Sequence, residues 1–497
     1  MEASPKYRVS GIPKSSSKFI GGLAYLWNMK IALPSAFEAQ MQKQLGTSYG
    51  DFAAALAQPT PTSIRRNPHK LPVAPTLPEV TWNKQGHYLP ERPFFTGDPW
   101  LHGGAYYVQE ASSMSIALPL QQHLNLSQPL RVLDLCGAPG GKATSLLSAL
   151  SPESLLVTNE VVKARAQVLV ENIVKWGYSN SVVTQNDPSH FQALPEFFDA
   201  IVVDAPCSGE GLFRRDAAAR EEWSEEHVGL CSDRQRRILS DVWPALKPGG
   251  LLVYSTCTYN LEENENNLAW AQVELGAESL PITFPEGMDV TPSLQYGVEG
   301  YHFYPHQIQG EGFFLSVLRK PGSHSPSAAG KLKKPKLVLA KREDQGLLKD
   351  WLDERHTWDG FWQGDTLVGI PAPLLPALDQ LARKLYILHA GTPMAERTKK
   401  KPNPTFQLGL SAAIRAEAFP LHELSYSEAL SYLQKNDLLP EGVGTGWVRV
   451  GYQGQSLGWL KAMPNRANNY WPTPWRIRQA PKEEQKWSLA HFCSPST

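Results

Sequence analysis

From Leu130 onward, short apolar runs with polar ends alternate with longer amphipathic strings, and this alternation constrains the fold of the 497-residue chain more than any other feature. The runs read LRVLDL, SLLVT, SVVTQ, DAIVVD, GLLVYST and FFLSVLR, and VKARAQVLVENIVKW is a helical string between the second and third. Strands joined through helices pack as a doubly wound α/β sheet, whose ligands gather beyond the carboxyl ends of the strands. Polar residues stand where that rule needs them: Asp134, Glu160, Asp187, Asp204, Cys207 and Cys257 each fall at the end of a run.

Between the first run and the helix-forming string ATSLLSAL lies LDLCGAPGGK, residues 133 to 142. Glycines allow close approach of a ligand to the backbone, and a helix start offers free N–H groups. Cys136, Gly137, Ala138, Pro139, Gly140, Gly141 and Lys142 are therefore expected to cradle a polar cofactor. A nucleoside-triphosphate loop is excluded, because Cys136 replaces its first glycine and Ala143 follows Lys142. The dinucleotide spacing GxGxxG is absent too, so an adenosine-bearing ligand without phosphates fits better. Glu160 stands where a second-strand carboxylate binds ribose hydroxyls, and Asp187 could reach an adenine edge; either could instead cap the next helix.

A hydrophobic fraction of 42% fits a folded protein, and a chain this long has room for two or three domains. No apolar run reaches the roughly 18 residues of a spanning helix, and the polar start resembles no secretory signal. A cytoplasmic protein without membrane association is expected. Five cysteines, Cys136, Cys207, Cys231, Cys257 and Cys493, form no CxxC pair, which argues against a disulfide framework or a metal site. Charge is uneven: residues 1–95 carry 11 basic and 5 acidic residues, 96–320 carry 14 and 27, and 321–497 carry 23 and 16. Basic arms around an acidic middle suggest an anionic partner held by the flanks while chemistry proceeds between them.

The expected organisation is a flexible tail at 1–28, an N-terminal RNA-binding region at 29–99, a sheet domain at 100–320, a basic linker at 321–345, an accessory domain at 346–435 and a small β module at 436–490. The N-terminal region should begin with a helix through Leu33, Phe37, Met41 and Leu45, ending at Gly46, and a second over Tyr49 to Leu56. Arg65, Arg66 and Lys70 cluster among prolines and are candidate phosphate contacts. In the last module Arg466, Arg476 and Arg478 interleave with Tyr470, Trp471 and Trp475, a pattern suited to an RNA strand by phosphate contact and stacking. The same rings could instead be the core of a small domain.

The sharpest chemical signals are DAPCSGEGLFRRD, 204–216, and STCTYNLEENE, 255–265. If their strands are neighbours, both thiols open over one crevice, and a thiolate is suited to attack an electron-poor carbon such as cytosine C6. The residues themselves leave open which thiol attacks. Arg214 and Arg215, beside the first cysteine loop, are further candidate RNA contacts.

With these motifs in view, the chain resembles the RNA (cytosine-5)-methyltransferases of the Nop2/Sun family, and most of all its bacterial branch acting on 16S rRNA. The resemblance rests on LPSAFEAQM, YYVQEASSM, LDLCGAPGGKAT, DAPCSGEGLFRRD, STCTYNLEENE, GYHFYPH with GEGFFLSVLRK, and LGWLKAMPNRANNYWPTPWRIR, which span most of the chain. It implies a Rossmann-like class I methyltransferase domain at 100–320 behind a small N-terminal α/β region, and a PUA-like terminal β domain. It implies S-adenosyl-L-methionine as methyl donor, held by residues Cys136 to Lys142 with Glu160, Arg165, Asp187 and Asp204. Cys257 becomes the nucleophile, Cys207 assists product release, Asp204 binds the flipped base, and Lys142 helps hold the site together. The implied partner is ribosomal RNA or the small ribosomal subunit, met by a monomer. A tRNA substrate would keep the same chemistry; a noncatalytic ribosome-assembly factor would not need two thiols. Glu110 and Ala111 replace the family's usual Asp and Pro, which is expected to loosen the start of the helix behind them.

Overall fold

The computed structural model describes residues 32–293, 295–323, 334–399 and 401–493; the expected tail at 1–28 and part of the 321–345 linker lie outside them. The six apolar runs form the strands Arg131–Asp134, Leu155–Asn159, Ser181–Thr184, Phe198–Asp204, Leu246–Thr256 and Phe313–Arg319. The first five are mutually parallel, and the second and third are buried along their whole length. Continuous burial follows from cover on both faces, which also explains why their sequences do not alternate apolar with polar.

Sheet order runs Thr291–Ser293, Gly300–Phe303, Phe313–Arg319, Leu246–Thr256, Phe198–Asp204, Arg131–Asp134, Leu155–Asn159, Ser181–Thr184, Ile387–Ala390. Winding reverses between Arg131–Asp134 and Phe198–Asp204, so a crevice opens beyond their carboxyl ends. Register sets Asp204 level with Ser255, and Cys207 and Cys257 therefore leave neighbouring strands into that crevice. The sheet is mixed rather than wholly parallel: Phe313–Arg319 returns antiparallel to Leu246–Thr256.

Helices follow their local chemistry. Lys163–Trp176 repeats apolar Ala166, Leu169 and Ile173 toward the sheet and stops at Gly177, whose φ of 82° is a left-handed termination. Glu225–Val242 starts at Ser224, whose side chain accepts from the N–H of His227. The N-terminal helices are Ser35–Leu45, ending at Gly46, and Tyr49–Leu56. Behind them Thr62–Arg66 lies between Asn83–Leu89 and Tyr106–Val108 in an antiparallel sheet.

The C-terminal part forms a five-stranded sheet and a four-stranded one built on Gly446–Tyr452, Gln455–Met463 and Arg466–Asn469. Neither stands apart. Ile387–Ala390, expected inside an accessory domain, pairs antiparallel with Ser181–Thr184 and extends the central sheet. Leu378, Leu381 and Ala390 share one apolar core with Leu133, Val182 and Ile201, and Ile64 and Trp100 share another with Tyr432, Trp471 and Leu489. Among the described residues no helix is long and apolar enough to cross a membrane.

Candidate active site

A cavity of about 450 Å³ lies over the crevice, lined by Cys136, Glu160, Arg165, Asp187, Asp204, Cys207 and Cys257 among others. Seven residues expected from the sequence thus meet in one place although they span more than a hundred positions. The two sulfurs, Cys207 Sγ and Cys257 Sγ, are 3.1 Å apart. Their loops are tied together: the Cys257 N–H points to Cys207 Sγ at 3.4 Å, and the Gly211 N–H donates to the Cys257 carbonyl at 2.8 Å. The pair is asymmetric. The contact with Cys207 holds the Cys257 thiol below its ordinary range, with nearby Lys142 acting in the same direction, and the same contact pushes Cys207 well up.

Asp204 is held at both oxygens. Lys142 Nζ lies 2.9 Å from Oδ2, and Ser255 Oγ donates to Oδ1 at 2.9 Å. Lys142 is raised above its usual value because the attraction of Asp204 overcomes burial. Asp134, at the end of the first strand, is fully buried with both oxygens unpartnered, and burial, reinforced by Asp204, lifts its pKa to about 7.

The expected cofactor residues divide into two groups. Glu160 is buried at the cavity wall, with one oxygen accepting from the Val162 N–H at 2.9 Å and the other 3.4 Å from Arg165. Asp187 accepts from Ser189 and lies 3.8 Å from Arg237. Gly137 has no room for a side chain, since a Cβ there would lie 2.0 Å from Thr158 Oγ1. Ala138, Pro139, Gly140 and Gly141 shape the turn from behind rather than line the cavity. Arg165 bonds the Ala138 carbonyl, Asn172 the Pro139 carbonyl, and Gly140 has a φ of 121°. A buried second-strand carboxylate, a glycine turn without phosphate-binding spacing and unpartnered acid near the crevice suit an adenosyl sulfonium cation. Among the described residues no group of three or more His, Cys, Asp or Glu could hold a metal ion.

Several residues expected to contact RNA are bonded or packed within the protein. Arg65 is buried, with bonds to Gln109, Thr144 and the Gly141 carbonyl and its guanidinium 4.6 Å above Trp176. It bolts the N-terminal sheet to the glycine-turn helix. Arg66 closes its own loop on the carbonyls of Leu71 and Pro72. Lys70 donates to the carbonyls of Gly103, Lys175 and Leu410 from three chain regions, while burial draws its pKa to about 7. Arg214 pairs with buried Glu311 at 2.7 Å. Trp471 is 1% exposed, and Trp475 is half-buried between Phe406 and Trp471. The common reason is that long cations and rings supply donors and apolar area where loops and small modules have few other means of closing. Arg215, Arg466, Tyr470, Arg476 and Arg478 remain exposed. Glu110 also differs from expectation: its carboxylate accepts from the N–H groups of Ser112, Ser113 and Glu311, so the helix start behind it is capped.

Other site residues carried weaker signals. Ser255 orients Asp204, and Arg234 and Arg237 line the cavity from Glu225–Val242. Their spacing of three places them on one helix face, but the register against the sheet is a tertiary fact. Glu263 sits in the LEENE string beneath the thiol loops.

A mixed sheet with this winding, a glycine turn after its first strand and an acid after its second defines a Rossmann-like methyltransferase fold, here carrying two thiols at the crevice. Three family profiles match: the N-terminal domain of 16S rRNA methyltransferase RsmF at 33–111, 16S rRNA methyltransferase RsmB/F at 121–319, and the methyltransferase RsmF PUA domain at 419–477. Ribosomal RNA small subunit methyltransferase F of Pectobacterium atrosepticum is 33% identical over 89% of this chain and 95% of its own. Its namesake from Citrobacter koseri is 32% identical over 89% and 96%. A solved methyltransferase homolog from Pyrococcus horikoshii is 29% identical, with a TM-score of 0.50, over 58% of this chain and 96% of that one. The chain belongs to the RsmB/F branch of the Nop2/Sun RNA methyltransferase family, and it is an enzyme of that class.

Proposed function

We propose that the chain methylates C5 of a cytosine in 16S rRNA of the small ribosomal subunit, with S-adenosylmethionine as donor and Cys257 as nucleophile. The observation that carries this reading is the pair of sulfurs 3.1 Å apart, in the cavity lined by Glu160 and Asp204. The names of the relatives support the ribosomal substrate.

Glu160 would accept from the ribose hydroxyls, Asp187 would border the adenine, and Arg165 with the Cys136–Gly137 wall would close the pocket. When bound, S-adenosylmethionine supplies a methyl group made electrophilic by its sulfonium. Cys257 adds to C6, which makes C5 the nucleophilic carbon. Asp204, oriented by Ser255 and Lys142, bonds the amino group and N3 edge of the flipped base, where charge changes during addition. After methylation a base removes the C5 proton, the bond from sulfur to C6 breaks, and Cys257 leaves as thiolate with Cys207 assisting release.

The test uses RNA carrying 5-fluorocytosine, from which no C5 proton can depart. Wild-type protein should be trapped as a covalent adduct, and Cys257→Ala should lose both trapping and methyl transfer. Trapping by Cys257→Ala but not by Cys207→Ala would exchange the two roles.

A further inference from the structure

Glu263 is fully buried beneath the thiol pair, and the mechanism above gives it no part. Its carboxylate joins three chain segments. One oxygen accepts from the Ser208 N–H at 3.0 Å and from Gln235 Nε2 at 2.9 Å, and the other accepts from Ser208 Oγ at 2.5 Å. Gln235 stands on Glu225–Val242 and also bonds the Pro206 carbonyl, so both neighbours of Cys207 are held by one network. Ser208 Oγ is 3.0 Å from Thr258 Oγ1, which extends the network to the residue after Cys257. Tyr254 closes it by donating to Gln235 and to the Glu263 carbonyl.

A single S–H···S contact is weak and directional, so it persists only if the backbone carrying it is fixed. We propose that Glu263 is a positioning residue for the thiol pair: through Ser208 and Gln235 it fixes the loop that carries Cys207, and so keeps the Cys207 thiol 3.1 Å from Cys257 Sγ, within reach to donate to the Cys257 thiolate. The inference rests on the reading of Cys257 as nucleophile. A carboxylate is well matched to this place, because its two oxygens receive three donors. Glutamine keeps the arrangement: its oxygen can accept from the Ser208 N–H and Gln235, while its amide donates to Ser208 Oγ, whose proton turns to Thr258. Alanine leaves the Ser208 N–H and Gln235 without their acceptor.

Position and charge act on Cys257 in opposite directions, which makes the proposal testable. The ionisable groups facing the pair are Asp204, Lys142, Glu263, Tyr254 and, on Glu225–Val242, Cys231, with Glu210 facing Glu263. Burial pushes the Glu263 carboxyl up to about 7, so above that pH removing its charge should ease ionisation of Cys257, whereas losing the Cys207 donor should hinder it. The full-length protein without RNA is alkylated with iodoacetamide across pH, and modification at Cys257 and Cys207 is resolved by peptide mass spectrometry. Glu263→Ala should raise the pH midpoint at Cys257 by about one unit and slow its alkylation near neutrality roughly tenfold. Glu263→Gln should leave the midpoint at or below that of wild type. An unchanged or lower midpoint in Glu263→Ala, or a rise in Glu263→Gln equal to that in Glu263→Ala, overturns the proposal. If Glu263→Ala does not fold, Ser208→Ala supplies the test: a smaller rise supports the role, and no rise overturns it. Adduct trapping tests the identity of the nucleophile separately, so either idea can fail alone.

Discussion

Asp134 and Glu160 lie at the ends of adjacent strands, yet their surroundings assign them different physical behaviour. Glu160 is anchored at one oxygen and faces Arg165, so it is set up to accept hydrogen bonds from a ligand. Glu160→Ala should weaken S-adenosylmethionine by about 1–3 kcal/mol in calorimetry; equal affinity would remove it from the ribose site. Asp134 is enclosed without partners, and its folded pKa of about 7 lies above the ordinary 3.8. A raised carboxyl pKa contributes stability that is complete below the unfolded value and is lost as pH rises through the folded one. Ligand-free protein should therefore lose stability relative to Asp134→Asn between about pH 4 and 7, by a few kcal/mol in urea titrations. Parallel curves for the two proteins would show that Asp134 does not titrate in this range.

The helices Ser35–Leu45 and Tyr49–Leu56 show how neighbouring elements hold the site together. Assigned from sequence to an RNA-binding region, they pack Phe37, Met41 and Phe52 against Phe213, Trp223, Tyr259 and Tyr304. Gln44 bonds the Tyr259 carbonyl and Tyr304 hydroxyl, and Gln40 bonds Asn260. The helix pair thus covers the loops after both cysteines. Phe52 is fully buried in edge contact with Tyr259 and Tyr304. Phe52→Ala should cost about 3–5 kcal/mol of stability and slow methyl transfer more than it weakens RNA binding. A variant with normal turnover and selectively weak RNA binding would return these helices to the role expected from sequence.

At the scale of the whole molecule, the C-terminal part completes the central sheet as well as exposing Arg466, Arg476 and Arg478. Ending the chain after Lys320 would remove Ile387–Ala390 from the edge of Ser181–Thr184 and expose a shared apolar core, so truncation is a poor test of substrate choice. Point changes are cleaner. Arg476 and Arg478 are exposed beside buried Ile477, which anchors their segment. Replacing both with alanine should flatten the salt dependence of RNA affinity, lowering its logarithmic slope by about one for each phosphate no longer neutralised, with cofactor affinity unchanged. An unaltered slope would take the RNA away from this face.

The sequence by itself determined the central strands, the helix end at Gly46, and the crevice residues from Cys136 to Cys257. Those features depend on local periodicity, backbone permissiveness and the rule that polar groups collect at strand ends, all of which act over a few residues. Tertiary structure alone decided which cations are free and which are bolts. Arg65, Lys70 and Arg214 look in sequence like Arg476 and Arg478, but carbonyls or carboxylates from distant segments surround them. It also decided that Trp471 is core, that Glu110 caps a helix, and that residues beyond the linker supply a strand to the central sheet. Burial and hydrogen-bond satisfaction depend on partners 44 to 340 positions away, and local sequence carries no record of such partners.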